Sequence, residues 1–294
     1  MDYIKPTRMD RIVLGITYTL LFLGVLMIVG PLIYVVVASF MEPTALLNKG
    51  ISFDVADYNL EGYKLILSDD NILRGFLNAL LYSSVFTVIT VTVCVFAGYP
   101  LSLDAFIGRK MIMTLFIITM FFGGGLIPTY LVVKQLGMLD TIWALVIPGA
   151  VSVWNIILAR TFFRSLPKEL NEAAKIDGGS DIMIFFRIVL PLSKPIVFVL
   201  ALYAFVGHWN DFFQSLIYLD SQDKYPLQLV LRRILILNKV DPNIIASVKE
   251  QAELARLSEL MKYAAIVISS IPLLVMYPFF QKYFEKGVMV GSLK

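Results

Sequence analysis

The stretch from Asn171 to Pro195, NEAAKIDGGSDIMIFFRIVLPLSKP, sets Glu172, Lys175, Asp177 and Asp181 around a Gly178-Gly179 pair in an otherwise strongly apolar chain. Charged side chains next to the small Ala173 and Ala174 suit a close, charge-assisted contact with another protein. A second group, Trp209-Asn210-Asp211, places an aromatic plane beside an amide and a carboxylate, a combination that suits a sugar. Tyr203, Trp154 and Asn155 are weaker candidates of the same chemistry. These residues equally admit a plainer reading, an aromatic belt at the membrane interface with a structural Asn/Asp cap.

Other chemistry is excluded by count. His208 is the only histidine and Cys94 the only cysteine, so neither a His-based zinc centre nor an internal disulfide nor a cysteine metal site can form. A membrane enzyme would need a catalytic constellation at one depth, such as His with carboxylates. A secondary transporter would show inverted repeats and buried ion-coupling acids, and Asp211 stands almost alone. The sequence contains no GxxxxGK[ST] phosphate loop, so any ATP hydrolysis linked to this chain must come from another polypeptide.

The local pattern says how the polar stretch is held. Ser165 is a good N-cap with Pro167 in the first turn, and the spacing predicts a helix over Leu166–Ile176. Asp177-Gly178-Gly179 stops it, Gly supplying the left-handed conformation of a C-terminal cap. Ser180-Asp181 then caps a second helix in which Ile182, Phe185, Phe186 and Val189 recur at helical spacing, ending at Leu190-Pro191. The predicted unit is a helix–turn–helix at the membrane surface, and an amphipathic interfacial helix remains the alternative.

The elements around it are membrane spans. Of 294 residues 58% are hydrophobic and 16% charged, against about 45–50% and about 25% in soluble domains; mean hydropathy is +0.78. Apolar runs at Ile12–Phe40, Leu77–Leu103, Met111–Val133, Thr141–Phe163, Pro195–Leu219 and Leu260–Phe284 are each close to the roughly 20 helical residues that cross a bilayer. The expectation is an all-α integral membrane protein, one transmembrane domain over residues 1–294, with six spans and both termini on one side. Lys and Arg weight residues 164–194 and the terminal segments, which places these in the cytoplasm; residues 220–259 are an exception that also carries Lys and Arg, and the six-span count places them outside. The net charge of +3 reflects this topology and implies no nucleic-acid partner. FFGGGLIP, Phe121 to Pro128, interrupts the third span with a kink, a packing notch or a stretch of substrate path. The second half of the 220–259 loop has helical spacing that runs into the last span.

Glu172-Ala173-Ala174, Asp177-Gly178, Ile188, Leu190-Pro191 and Pro195 resemble the EAA loop of bacterial ABC importer permeases of the carbohydrate type. The likeness continues through LGMLDTIWALVIP (Leu136 to Pro148), FFRSLPKEL, WNDF (Trp209 to Phe212) and the tail KGVMVGSLK (Lys286 to Lys294), covering most of the chain from Asn78 onward. Within that family the chain is similar to the six-helix maltose-system permease, and GGGLIPTYLVVKQLGM is similar to an aldouronate or complex-oligosaccharide branch. The resemblance implies a type I ABC importer permease fold in the bacterial plasma membrane. It implies sugar import by alternating access, with ATP and Mg used by two partner ATPases and no cofactor in this chain. It also implies a second, different permease subunit and an extracellular solute-binding protein. Glu172 would meet the ATPase, Ala173 and Ala174 would let it seat, and Asp177 and Gly178 would set the turn, while Gly179 stands where many relatives carry Ala. The loop with Arg232 and Arg233 would contact the binding protein, and the tail, loosened by Gly287 and Gly291, would lie against the ATPases. An importer of another small solute is the alternative.

Overall fold

In the computed structural model, residues 7–237 and 248–292 are described, and their regular structure is helical apart from one isolated bridge between Met41 and Tyr58. In chain order the helices are α1 (Arg8–Ala38), α2 (Pro43–Lys49), α3 (Glu61–Ser68), α4 (Asp70–Ser102), α5 (Arg109–Phe121), α6 (Leu126–Gln135), α7 (Ile142–Val146) and α8 (Val153–Ser165). They continue as α9 (Lys168–Ile176), α10 (Asp181–Ile184), α11 (Leu190–Leu192), α12 (Lys194–Trp209), α13 (Phe213–Tyr218), α14 (Leu227–Leu237) and α15 (Val248–Ser292).

Among the described residues, three helices are long and apolar enough to cross a membrane: Arg8–Ala38, Asp70–Ser102 and the Ala255–Gln281 part of α15. The predicted third span is two helices, α5 and α6, bent by 110° at the glycine run, where Gly125 has φ +82°. The predicted fourth, Thr141–Phe163, is broken as well. Only α7 and α8 are helical, and Pro148, which has no N–H to donate, lies between them. Lys194–Trp209 is bent by 76° from the helical stretch Asp181–Leu192 before it, so the spans number five if each bent pair counts as one. The tail does not become extended at Gly287 and Gly291, because α15 remains helical through Ser292. Within the predicted 220–259 loop, α14 is an added helix, the predicted helical run begins α15, and residues 238–247 lie outside the described residues.

The chain divides into two compact units. The first comprises Met1–Asp69 and Ile234–Ser270. Its α1 opens with a capping box, Thr7 and Asp10 satisfying each other's backbone N–H, and is exposed and apolar on all sides, as a lipid-facing helix must be. In the same unit the Arg256 guanidinium holds Glu42 at 2.6 Å and Glu61 at 2.5 Å. A methyl on Gly62 of α3 would lie 2.6 Å from the Leu260 carbonyl oxygen, so this close packing requires glycine.

The second unit, Asp70–Arg233 with Ile271–Lys294, is organised on α4, which packs against α8 and α12. The core between them holds Cys94, Val95, Tyr99, Ile156, Ala159, Phe163, Phe185 and Leu200, each almost wholly buried. Gly98 sets the closest approach of α4 to α8, since a Cβ there would sit 2.8 Å from Ala159 Cβ and 3.1 Å from the Arg160 nitrogen. At the other end of α4, Asn78 Nδ2 donates to the carbonyls of Asp223 and Tyr225, and the Tyr82 hydroxyl donates to that of Lys224. Asp140, whose φ is +57°, completes this clasp. Its carboxylate accepts from the Asp220 and Ser221 nitrogens, from Ser221 Oγ at 2.6 Å and from Lys224 Nζ at 2.6 Å. Its own N–H donates to the Tyr218 carbonyl, so α7 and α13 are tied end to end.

Gly98→Ala should overpack the α4–α8 contact at a cost of about 1–3 kcal/mol, read as a lower melting temperature of the purified protein; unchanged melting would mean the two helices part without strain. Asp140→Asn keeps a residue that tolerates positive φ and removes the charge opposite Lys224. Bonds from Lys224 and then Ser221 hold the Asp140 carboxyl well below the usual carboxylate range. Its contribution is therefore complete above about pH 4, the ordinary value, and fades as pH falls through the depressed one. The variant should lose about 1 kcal/mol, solvent screening included, near neutrality and converge with the native protein in acid. An equal gap at both pH values would contradict the charge argument.

Candidate functional site

Two features stand out in the second unit. One is α9 and its turn. The helix starts at Lys168, with Pro167 at the N-cap; Ser165 is instead the last residue of α8, its hydroxyl donating to the Phe162 carbonyl. Pro167 is sufficient as a start because its fixed φ orients the chain and its missing N–H is one a helix terminus does not need. At the other end the turn is a full Schellman cap: Gly179 N–H donates to Ala174 O, Gly178 N–H to Lys175 O, and Gly178 has φ +80°. A methyl on Gly179 would come 2.7 Å from Ala174 O, so a turn closed this tightly needs glycine there. Ser180 then caps α10 by accepting from the Met183 nitrogen.

None of the nine residues of α9 is buried. Glu172, Ala173, Asp177 and Gly178 are exposed, Ala174 is half-buried, and Ile176 is 86% exposed on the same outward element. The helix is held from beneath by ion pairs. Lys175 meets Asp181 at 3.0 Å, and Lys168 meets Asp104 at 2.7 Å. Asp104 also receives Arg109 at 2.6 Å, and this bond, with that from Lys168, keeps its carboxyl far below the usual range. A recess of about 270 Å³ lies there, lined in part by Tyr99, Asp104, Arg164, Lys168, Asn171 and Glu172, and Asn171 Oδ1 is buried without a hydrogen-bond partner.

The other feature is a cavity of about 490 Å³ between α4, α8 and α12, a size within the range of about 300–1,000 Å³ usual for ligand sites. It brings together Trp154, Asn155, Tyr203 and Asp211, four of the six candidate sugar-path residues. Trp154 and Tyr203 are more than half exposed, offering open ring faces, while Asn155 is buried. Asp211 Oδ1 accepts from the nitrogens of Phe213 and Gln214, which fixes the carboxylate at the start of α13. Trp209 and Asn210 are not in the lining. Trp209 is 1% exposed, stacked on Phe205 and edge-on to Phe76, and the Asn210 amide donates to the Val206 carbonyl. The cavity adds Phe86, Thr90, His208 and Gln214, which sequence reasoning missed. Thr90 Oγ1 is buried with no partner, and it is one of two threonine hydroxyls in the apolar run VITVTV, the other of which, on Thr92, donates to the Val88 carbonyl. His208 stacks on Phe86, and its Nδ1 lies 3.3 Å from Ser83 Oγ.

Arg232 and Arg233 on α14 are half-buried rather than free arms. Arg232 lies 4.4 Å over the Phe212 ring with its Nη1 buried and unpartnered, and Arg233 lies over Tyr225 at 5.2 Å. No group of His, Cys, Asp and Glu suited to a metal ion occurs among the described residues.

Comparison with known proteins gives a consistent result. Residues 4–290 match the family described as binding-protein-dependent transport system inner membrane component. Protein LplC of Bacillus subtilis is 40% identical over 269 residues, covering 90% of this chain and 88% of its own. The polygalacturonan/rhamnogalacturonan transport system permease protein YtcP of the same organism is 38% identical over 280 residues, covering 94% and 96%. A chain of a bacterial ABC transporter involved in the import of the acidic polysaccharide alginate superposes with a TM-score of 0.81 at 29% identity, over 97% of this chain and 100% of that one. The chain therefore belongs to the family of binding-protein-dependent transport system inner membrane components, and it is a multi-pass permease subunit of an ABC importer, not an enzyme.

Proposed function

We propose that this permease carries oligosaccharide through the membrane and that the α4–α8–α12 cavity is its share of the sugar path. The observation that carries the reading is the cavity itself: two open aromatic planes, Trp154 and Tyr203, flank Asn155, Asp211 and the unpartnered Thr90 hydroxyl. A sugar ring has apolar C–H faces and a polar rim of hydroxyls, and this lining complements both. The relatives support the substrate class, since YtcP is named for polygalacturonan and rhamnogalacturonan, and a protein of Halalkalibacterium halodurans at 28% identity for arabinooligosaccharides.

The topology proposed with it has six spans, in which α5–α6, α7–α8 and α12–α13 are each one broken crossing, with both termini and residues 164–194 in the cytoplasm. There α9 is the coupling helix. A nine-residue polar helix with nothing buried and an exposed isoleucine is poorly explained as a structural element, and well explained as one face of an interface. Glu172, Ala173 and Ala174 meet the ATPase, and the Gly178 turn fixes their angle. A second, different permease completes the path. The extracellular binding protein delivers sugar to the side that carries Arg232 and Arg233.

Trp154→Ala should reduce uptake about tenfold, the equivalent of about 1.4 kcal/mol of lost contact, with membrane abundance unchanged; undiminished uptake would remove the cavity from the sugar path. Glu172→Ala and Gly178→Val should leave insertion intact and lower both uptake and ATPase stimulation by the sugar-loaded binding protein. For Glu172 the expected loss is about 10- to 100-fold, that of a charged hydrogen bond of about 1.5–3 kcal/mol. For Gly178 it follows from forcing a β-branched residue to positive φ. Lys110→Ala, an exposed charge, serves as the control. Normal coupled transport in both variants would make α9 an interfacial helix only.

A further inference from the structure

Four segments converge on one carboxylate at the end of α4. Asp104 lies just beyond α4, and its oxygens receive Arg109 from the start of α5 at 2.6 Å and Lys168 from the first turn of α9 at 2.7 Å. Arg164, from the last turn of α8, lies at 4.0 Å. The neighbouring backbone is tied by the same kind of group, since Arg160 of α8 donates to the Leu101 carbonyl and Arg109 to that of Leu103. A single exposed ion pair would mean little. Here three cations from three helices share one anion, while Leu101 and Ser102 at the end of α4 are buried.

We infer that Asp104 is a positioning residue for transport, a charged strut joining α9 to the end of α4. The inference rests on the reading of α9 as the coupling helix. α4 is the element that α9 must reach, because it supplies Phe86 and Thr90 to the cavity and packs on the helices that supply Trp154, Asn155, Tyr203 and His208. Through the chain itself α9 reaches α4 only by way of other elements: at its start the Leu166–Pro167 link joins it to α8, which packs on α4, and at its end the Gly178 turn leads into α10 and the π-helical stretch Phe185–Val189. A π-helical insertion is a place where a helix yields. The bridge through Asp104 bypasses it. A displacement of α9 by a partner then moves the end of α4, and Gly98 passes that motion to α8 at van der Waals contact.

The test uses the complete importer in liposomes, with sugar uptake and ATP hydrolysis measured together for Asp104→Asn, Lys168→Met, their double variant and Asp104→Glu. Each neutralised variant should retain ATPase activity and lose about fivefold in sugar moved per ATP, the lower end of allosteric couplings. The double variant should be no worse than the poorer single one, because both remove the same bridge, and Asp104→Glu should restore most of the loss. Raising the salt concentration should lower the native ratio toward that of the variants, since the bridge is solvent-accessible. Unchanged ratios, losses that multiply in the double variant, or no rescue by Glu would overturn the strut. Glu172→Ala, run in parallel, separates the two failures: normal coupling in it refutes the coupling-helix reading, whereas impaired coupling in it with normal Asp104 variants refutes the strut alone.

Discussion

A backbone in lipid finds no water to bond its N–H and C=O groups, so every break in a helix at membrane depth must be covered by protein or face a water-filled space. The rest of this structure follows from that constraint. α1 is apolar and exposed over most of its length and is unbroken for 31 residues. The breaks fall elsewhere, at 122–125, 147–152, 193 and 210–212, and two of these four border the cavity. Gly149 and Ser152 line it from the α7–α8 break, and Asp211 from the α12–α13 break. Where the helices stop, side chains take over the termini: Ser152 Oγ accepts from the Asn155 nitrogen, and Asp211 Oδ1 from those of Phe213 and Gln214. The cavity is thus a by-product of interrupted helices whose ends are satisfied locally.

α4 makes those interruptions tolerable. It is straight enough to run from Asp70 to Ser102, and its two ends are fixed by different means. Asn78 and Tyr82 hold the 223–225 backbone at one end, and Arg109, Arg160 and Lys168 gather on the Leu101–Asp104 segment at the other. Between them Gly98 lets α8 approach closely. Short broken helices on one unbroken rod can shift as a group without exposing backbone, which is what a path open alternately to two sides requires.

Much of this was legible in the residues, and the misses share a cause. The Asp177-Gly178-Gly179 stop is a local matter, since only glycine adopts positive φ freely, and the cap forms as the dipeptide dictates. α1 and α4 were readable because hydropathy and length agree there. Thr141–Phe163 read as one span because a hydropathy average runs across Ile147–Ser152, where Pro148 and the Ser152 cap matter more than the apolar neighbours. Trp209 read as a sugar platform because its neighbours are polar. Its position on α12 turns it to Phe205 and Phe76, and no one-dimensional pattern gives that rotation. Asp104 was invisible for the same reason, as its partners lie five and more than sixty residues away.

The polar groups of the second unit then divide into two kinds. Asp140, Asp211 and the Asn210 amide are occupied by bonds inside the chain, and they hold the ends of helices. Thr90 Oγ1, Asn171 Oδ1, Ser193 Oγ and Arg232 Nη1 are buried and have no partner among the described residues. Burying a polar atom without a bond costs roughly 1–3 kcal/mol, a cost that a fold assembled for stability alone would remove by an apolar replacement. Thr90 belongs to the cavity lining and Asn171 to that of the recess beneath α9, while Ser193 sits at the break between α11 and α12 and Arg232 on α14. In the reading proposed above, the cavity is where the permease meets its cargo and the recess beneath α9 is where it meets its motor. α4, which ends beside the recess and lines the cavity, joins the two places.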